Sequence, residues 1–313
     1  MELEFVKCHG SGNDFVLIDA VEQKLQGVDL KSFAADLCDR EKGMGADGLL
    51  LLVGDGEGYG MRMFNPDGSE AEMCGNGIRC VARMARAYAG CDRFMLTSGG
   101  RRYEVGRCAD MARGVETCFV DIPVSMWSGD FAMFCDGETF VERTIPELDA
   151  DLRFTALSLG NPHIVARCDK VDMELLGRLG ERVSELPAIF PNGVNVSLYR
   201  VVGHNSIFVA TYERGAGITL SCGTAMTASS TAAALSGACD FGRRIEVHNR
   251  GGMVVCECRP DPLVTRLEGN ATFEYAGIVE TDGGGRLRFD VEKIFADEIN
   301  AYEEFASKVR MEP

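Results

Sequence analysis

"EMCGNGIRC", residues 72–80, and "LSCGTAMTA", residues 220–228, each set a cysteine directly before a glycine where a helical run begins. Cys222 stands 148 residues after Cys74. Asn161 in "LGNPHIVA" follows Asn13 in "SGNDFVLI" by the same 148. Glu213 in "YERGAG" lies 148 beyond Asn65 in "FNPDGSE". Gly193 and Asn195 in "PNGVNVSL" match Gly45 and Asp47 in "GMGADGLL" at that spacing too. Four landmarks at polar or glycine-rich junctions share one offset, which indicates two copies of one fold unit. The period is far too long for a solenoid. Two similar domains facing each other across a cleft are expected, because ligand pockets favour domain interfaces.

Local patterning agrees with a repeated α/β unit. "LEFVKC", "FVLIDA", "GLLLLV" and "YGMRMF" read as strands, as do "VNVSLYRVV" and "SIFVATYE" in the second half. Residues 29–40 place Leu30, Phe33, Ala34 and Leu37 on one helical face. "GNGIRCVARMARAYAG" predicts a helix with Ile78, Val81, Ala82 and Ala85 inward and Gly90 as its stop. "GTAMTASSTAAALSG" predicts a helix of small residues closed by Gly237, suited to close packing.

Composition narrows the function classes. The chain has 313 residues, enough for two sizeable cores, and a net charge of −16. That charge argues against an extended phosphate-binding surface, so no nucleic acid partner is expected. The apolar run at 48–54 is far too short to span a membrane, and "MELEFVKCHG" lacks a basic region followed by an apolar one. Thirteen scattered cysteines, an odd number, point to a reducing cytoplasm rather than a disulfide scaffold. With four histidines, no HExxH and no paired CxxC, no metal site is expected.

A helix N-terminus presents unpaired N–H groups and the positive end of the helix dipole. A cysteine there is expected to have a lowered pKa. The following glycines let backbone approach a ligand, whose carboxylate the N–H groups can hold. Two such motifs meeting at one carboxylate would set two sulfurs on opposite sides of the carbon attached to it. One thiolate then removes the α-proton and the opposite thiol returns one to the other face, with no cofactor required.

"HGSGNDF", "FNPDGSEAEMCGNGIRC", "LGNPH", "NGVNV", "YERGAG" and "SCGTA", in this order, resemble the diaminopimelate epimerase family, from about residue 3 to about 280. The resemblance implies a pyridoxal-independent isomerase of lysine biosynthesis that interconverts L,L- and meso-diaminopimelate. It implies two pseudo-symmetric domains, each a curved, mainly antiparallel sheet around a central helix. The first domain would cover 1–122, with a last strand at about 271–283 returning to it, and the second 123–270. Cys74 and Cys222 match the acid/base pair. Gly75 with Asn76 and Gly223 with Thr224 match the α-carboxylate cradle. Glu213 matches a residue near the reacting α-amino group, and His163 with Glu213 an auxiliary polar pair. Asn13, Asn65, Asn161, Asn195 and Arg214 match groups that hold the substrate, chiefly its distal end. An arginine suits a distant carboxylate because its fork binds it bidentately. The expected partner is a small amino acid substrate. Related proteins often pair, so a homodimer is the default.

Three positions depart from the usual pattern. Gly48 stands where many members carry glutamine, Ile218 where many carry glutamate, and "SCGTAMT" where many carry Ala-Cys-Gly-Thr-Gly-Ala-Cys. These changes leave open a racemase of another amino acid, such as histidine. From other classes, a cysteine hydrolase using His163 and a non-catalytic amino-acid-binding protein also stay open.

The tail at 286–313 carries Val291, Ile294, Phe295, Ile299, Tyr302, Phe305 and Val309 at steps of three or four. This predicts an amphipathic helix from about 290 to 310, capped by Asp290, that docks to bury its stripe. No catalytic group is expected in it.

Overall fold

Strands buried on both faces surround each cysteine-led helix, and the hydrophobic runs explain why. The computed structural model describes residues 2–54, 56, 58–126, 139–281 and 287–313. The chain forms two compact units, one of Met1–Val120 with Glu268–Lys308 and one of Asp121–Leu267 with Val309–Pro313.

The first unit begins with β1 (Glu2–Gly10), β2 (Asn13–Asp19), α1 (Leu30–Cys38), β3 (Gly48–Gly54), β4 (Tyr59–Phe64) and β5 (Glu70–Ala71). Then come α2 (Gly75–Ala89), β6 (Arg93–Ser98), β7 (Arg101–Arg107) and β8 (Thr117–Pro123). β1–β2 pair antiparallel, β2–β3 parallel, β3–β4 and β4–β5 antiparallel, β4–β6 parallel and β6–β7 antiparallel. In β3, Leu49 and Leu51 face the α1 side, where they join Val16, Ile18, Phe33, Ala34 and Leu37. Leu50 faces the other way: a Cβ on Gly77 of α2 would lie 2.9 Å from it. The run of four leucines is therefore a strand covered on both faces, each side chain contributing about 1.5–3 kcal/mol by burial.

The second unit repeats this order with β9 (Arg143–Ile145), β10 (Asp149–Ser158), β11 (Pro162–Arg167), α3 (Met173–Ser184), β12 (Asn195–Gly203) and β13 (Ser206–Glu213). β14 (Gly217–Ile218), α4 (Gly223–Leu235), β15 (Arg244–Asn249), β16 (Gly252–Pro260) and β17 (Leu263–Asn270) follow. Its pairings run antiparallel, parallel, antiparallel, antiparallel, parallel, antiparallel from β10 to β16, as from β1 to β7. α4 begins 148 residues after α2, matching the offset of the cysteines. Gly223 through Ala234 are all buried. A helix enclosed all round has no polar face to present, which is why "GTAMTASSTAAAL" is built of small residues. α3 lies on β12, β13 and β14, with Leu176, Leu179 and Val183 in the core of this unit.

The chain then forms β18 (Thr272–Thr281), β19 (Leu287–Ile294) and α5 (Ala296–Val309). β18 pairs antiparallel with β1, and β19 with β18. Residues 282 and 283 of the expected returning strand, and residue 286 of the tail, fall outside the described residues.

The expected helix at 290–310 is corrected. Residues 287–294 form a strand, and the helix begins at Ala296. Leu287, Phe289 and Val291 alternate with Arg288, Asp290 and Glu292, a period of two that the open edge of β18 captures as a ladder. Val291 and Ile294, expected inward, are 47% and 66% exposed. Asp290 does not cap a helix; its carbonyl lies against Gly277, where an added Cβ would come within 1.9 Å of it. Tyr302 and Phe305 are buried as expected. Among the described residues no helix is long and apolar enough to cross a membrane.

Candidate active site

Both cysteines occupy the N-cap of a central helix in extended backbone, at φ −136° and ψ 115° for Cys74 and φ −122° and ψ 113° for Cys222. An N-cap residue is non-helical while its carbonyl already accepts the first intrahelical bond. Accordingly Ile78 donates to the Cys74 carbonyl at 2.9 Å, and Met226 to that of Cys222 at 3.0 Å. The backbone N–H groups of the residues after each cysteine have no carbonyl partner within the helix. They are suited to a carboxylate.

In the first unit the Cys74 sulfur accepts from the Gly77 N–H at 3.4 Å and lies 3.8 Å from Asn13 Oδ1, to which it donates. The same oxygen accepts from Asn76 Nδ2 at 3.2 Å. Asn13 Nδ2 in turn donates to Asp47 Oδ2 at 2.7 Å, which fixes the amide with its oxygen toward the sulfur. Asp47 also accepts from the Asp14 N–H and from Arg40. Burial works against the Asp14 charge, yet hydrogen bonds from Arg40 and Lys7 hold that carboxyl below its usual range. Asn65 closes the turn at 65–69 through Ser69 and, among the described residues, makes no hydrogen bond to this cluster.

The second unit rebuilds the cluster with one change of polarity. Asn161 Nδ2 donates to Thr224 Oγ1 at 3.3 Å, leaving the hydroxyl hydrogen for the Cys222 sulfur 3.5 Å away. Asn161 Oδ1 accepts from His163 Nε2 at 3.0 Å. His163 thus bonds Asn161. Where the first unit has Asp14 and Asp47, the second has Pro162 and Asn195 at the same offset. Proline has no N–H to give a carboxylate. Asn195 instead donates to the Pro162 carbonyl at 3.1 Å and accepts from the Arg214 N–H at 2.9 Å. The guanidinium of the exposed Arg214 side chain donates from Nη1 to the Asn192 carbonyl at 2.6 Å.

The expected lowering of thiol pKa at a helix start does not hold for Cys222. Burial first, then the charge of Glu213 and a hydrogen bond to its carboxylate, push this thiol well above the ordinary value. The Thr224 hydroxyl and the Ala225 N–H pull the other way and lose. Only 9% of the residue is exposed, so desolvation outweighs the helix dipole. Cys74, by contrast, is half-buried. Glu213 is further held by Thr219, whose hydroxyl donates to it at 2.5 Å. Burial, with the Arg214 charge, lowers the His163 pKa to about 3, so its ring is neutral; among the described residues its Nδ1 has no hydrogen-bond partner.

A side chain at Gly48 would crowd its neighbours, since a Cβ there meets Met63 Cε and the Phe64 carbonyl at 3.0 Å. Ile218 in β14 stands 38% exposed. Among the described residues no cluster of histidine, cysteine and carboxylate groups could hold a metal ion.

Comparison with known proteins gives this constellation a family. A profile for diaminopimelate epimerase matches residues 5–106 and 155–274, the two cysteine-bearing repeats. The chain belongs to the diaminopimelate epimerase family. A diaminopimelate epimerase of Clostridium acetobutylicum is 37% identical, over 99% of this chain and 96% of its own length. One from Lactiplantibacillus plantarum is 38% identical over 99% of each chain. Among solved structures, a phenazine biosynthesis protein of the PhzF family from Bacillus anthracis superposes with a TM-score of 0.63 at 13% identity. It covers 90% of this chain and all of its own. A probable proline racemase from Agrobacterium radiobacter gives 0.63 at 12% identity over 98% of this chain and all of its own. At such identities these two share the fold.

Sequence reasoning missed two residues that the clusters of this family member depend on. Asp47 counted only as a landmark of the repeat, although a carboxylate beside a glycine in a polar junction is a usual anchor for amides. Arg79 of α2 was not singled out, yet it is fully buried. Its position, three residues after Asn76 and four after Gly75, was the available signal.

Proposed function

We propose that this chain interconverts L,L- and meso-diaminopimelate through two thiols and no pyridoxal cofactor. The observation that supports it is the matched pair of helix N-caps, with Cys74 bonded to the Asn13 amide, Cys222 linked to Asn161 through the Thr224 hydroxyl, and a backbone cradle after each. Inversion at carbon needs a proton acceptor on one face and a donor on the other. The Cys74 thiolate takes the α-proton, and the electron pair of the broken C–H bond moves into the α-carboxylate. N–H groups at the helix starts hold the resulting enediolate. The Cys222 thiol, kept protonated by burial and Glu213, forms the new C–H bond on the opposite face. The turnover leaves Cys74 as thiol and Cys222 as thiolate, the arrangement required for the reverse direction. Asn13, Asn65, Asn161, Asn195 and Arg214 are assigned to binding, with Arg214 answering a distal carboxylate. Two thiols that must stay reduced suit a cytoplasmic setting.

Proton NMR in D₂O tests the reading. With L,L-diaminopimelate, one α-proton signal should wash out, while single amino acids including histidine should keep theirs. Cys74→Ala and Cys222→Ala should each lose nearly all exchange while keeping the wild-type circular dichroism. Washout on histidine but not on diaminopimelate would reassign the substrate. A covalent adduct at either cysteine with no deuterium in the substrate would replace epimerisation by hydrolase chemistry.

A further inference from the structure

Arg79 is 0% exposed, and every acceptor of its guanidinium is neutral. Nη1 donates to the Gly75 carbonyl at 2.8 Å, Nη2 to Asn76 Oδ1 at 3.1 Å and Nε to the Asn270 carbonyl at 3.3 Å. A buried charge is costly unless it is paired. Here the titratable groups that face it are Cys74 and Cys80 of its own helix, Cys118 of β8 and Tyr302 of α5. Among these groups of the described residues there is no carboxylate to pair with the guanidinium. The fold makes room for it deliberately. A Cβ on Gly10 would come within 2.8 Å of Nη2, and one on Gly269 within 2.9 Å of Nη2 and 3.0 Å of Cζ. Any other residue at either position would displace the guanidinium.

The contacts run in one direction toward the sulfur. Arg79 takes Asn76 Oδ1, which turns Asn76 Nδ2 toward Asn13 Oδ1, the oxygen that receives the Cys74 sulfhydryl. The Gly75 carbonyl held by Nη1 belongs to the peptide that carries the Asn76 N–H of the cradle. We propose that Arg79 is a positioning residue of the reaction: its buried charge makes Cys74 the thiolate of the pair, and its hydrogen bonds lock the Asn76 amide and the carboxylate cradle. The counter-charge missing from the resting site arrives when Cys74 ionises. Cys74 is among the groups whose charge stabilises the guanidinium, and that stabilisation is mutual. Cys222, facing Glu213 instead, is the protonated partner. The two halves of the repeat thus carry opposite charges behind their sulfurs.

This rests on the reading of Cys74 as a base, and the test separates the two. The rate of iodoacetamide alkylation at Cys74, resolved by peptide mapping, is followed against pH in the full-length protein, Arg79→Lys and Arg79→Gln. Wild-type Cys74 should alkylate with a midpoint below that of the same peptide unfolded in denaturant. Arg79→Gln should raise the midpoint by about one pH unit or more, so labelling at pH 7 falls about tenfold or more. Arg79→Lys, which keeps charge but not the fork, should lie between. The acid limb of α-proton exchange should move upward with the alkylation midpoint. A wild-type midpoint at or above that of the unfolded peptide overturns the proposal, and this outcome needs no variant to fold. Matching profiles for wild type and Arg79→Gln, or for Arg79→Lys and Arg79→Gln, overturn it too. Absence of α-proton washout in the wild type would instead remove the epimerase reading, with the alkylation profiles still deciding the role of Arg79.

Discussion

At the scale of single residues, Cys222 carries a proton because water is excluded and a carboxylate faces it. Glu213→Gln removes that charge and leaves only a weaker, neutral acceptor. The Cys222 pKa should then fall, and the basic limb of the exchange rate should move to lower pH. An unmoved basic limb would show that Glu213 does not hold this proton. His163 offers a second test through stability. Its folded pKa of about 3 lies below the unfolded value near 6.5. Between these values the unfolded chain binds the extra proton, so stability is full above about pH 6.5 and is lost as pH falls toward 3. The loss should reach the order of a few kcal/mol near the lower end. His163→Gln should flatten the fall of melting temperature between pH 6.5 and 4 relative to wild type. Equal slopes would mean that the ring does not enter the fold neutral. The placing of Cys74 and Cys222 at helix starts, and of Asn13 and Asn161 beside those starts, was legible because their types and shared offset are visible in a string. The direction of the Cys222 shift was not, because desolvation and the approach of Glu213 exist only once the chain is folded.

At the scale of elements, periodicity read correctly wherever one period was present. α1 and α2 follow the predicted faces, and α4 and the apolar runs form the expected helix and strands. The reading named no helix at 173–184, although Asp172 caps α3 through the Glu174 and Leu175 N–H groups and Leu176, Leu179 and Val183 form its buried stripe. The tail failed for the opposite reason. Val291 and Ile294 fit a helical step with Phe295 by coincidence, and only the edge of β18 selects the strand. Glycines within α3 test how closely an element sits on its neighbour. A Cβ at Gly180 would fall 2.1 Å from Tyr212 Cγ, while one at Gly177 meets nothing nearer than Ile218 Cδ1 at 4.0 Å. Alanine in a helix gains about 0.5–1 kcal/mol over glycine. Gly177→Ala should therefore raise the melting temperature slightly. Gly180→Ala should lower it, because pushing a packed ring costs about 1–3 kcal/mol. Equal shifts in the two variants would show that α3 does not rest on Tyr212 as described.

At the scale of the molecule, the tail belongs to the architecture that supports Cys74. Glu298 of α5 forms a two-pronged ion pair with Arg83 of α2, at 2.6 and 2.9 Å. Tyr302 stacks edge-on against His9 with ring centres 4.5 Å apart. His9 in turn meets Asn270, whose Nδ2 lies 3.2 Å from its Nδ1 and 3.1 Å from its carbonyl oxygen. The Asn270 carbonyl is the acceptor of Arg79 Nε. A continuous set of contacts thus leads from α5 to the guanidinium behind the sulfur. The sequence showed an apolar stripe and nothing of this route, since His9, Asn270 and Tyr302 are far apart in the string. Loss of the tail should therefore not leave the chemistry untouched. Tyr302→Ala opens a cavity beneath His9 and should cost about 3–5 kcal/mol of stability, the usual range for a large buried ring. In the fraction that stays folded at 20 °C, α-proton exchange should fall severalfold, because Arg79 loses a firm floor. Glu298→Gln, which weakens the ion pair but leaves the ring in place, should lower the melting temperature with a smaller effect on exchange. Differential scanning calorimetry and exchange rates on the same samples separate the two effects. Full exchange in folded Tyr302→Ala would confine the tail to stability, and an unchanged melting temperature would show that the ring is not a structural support.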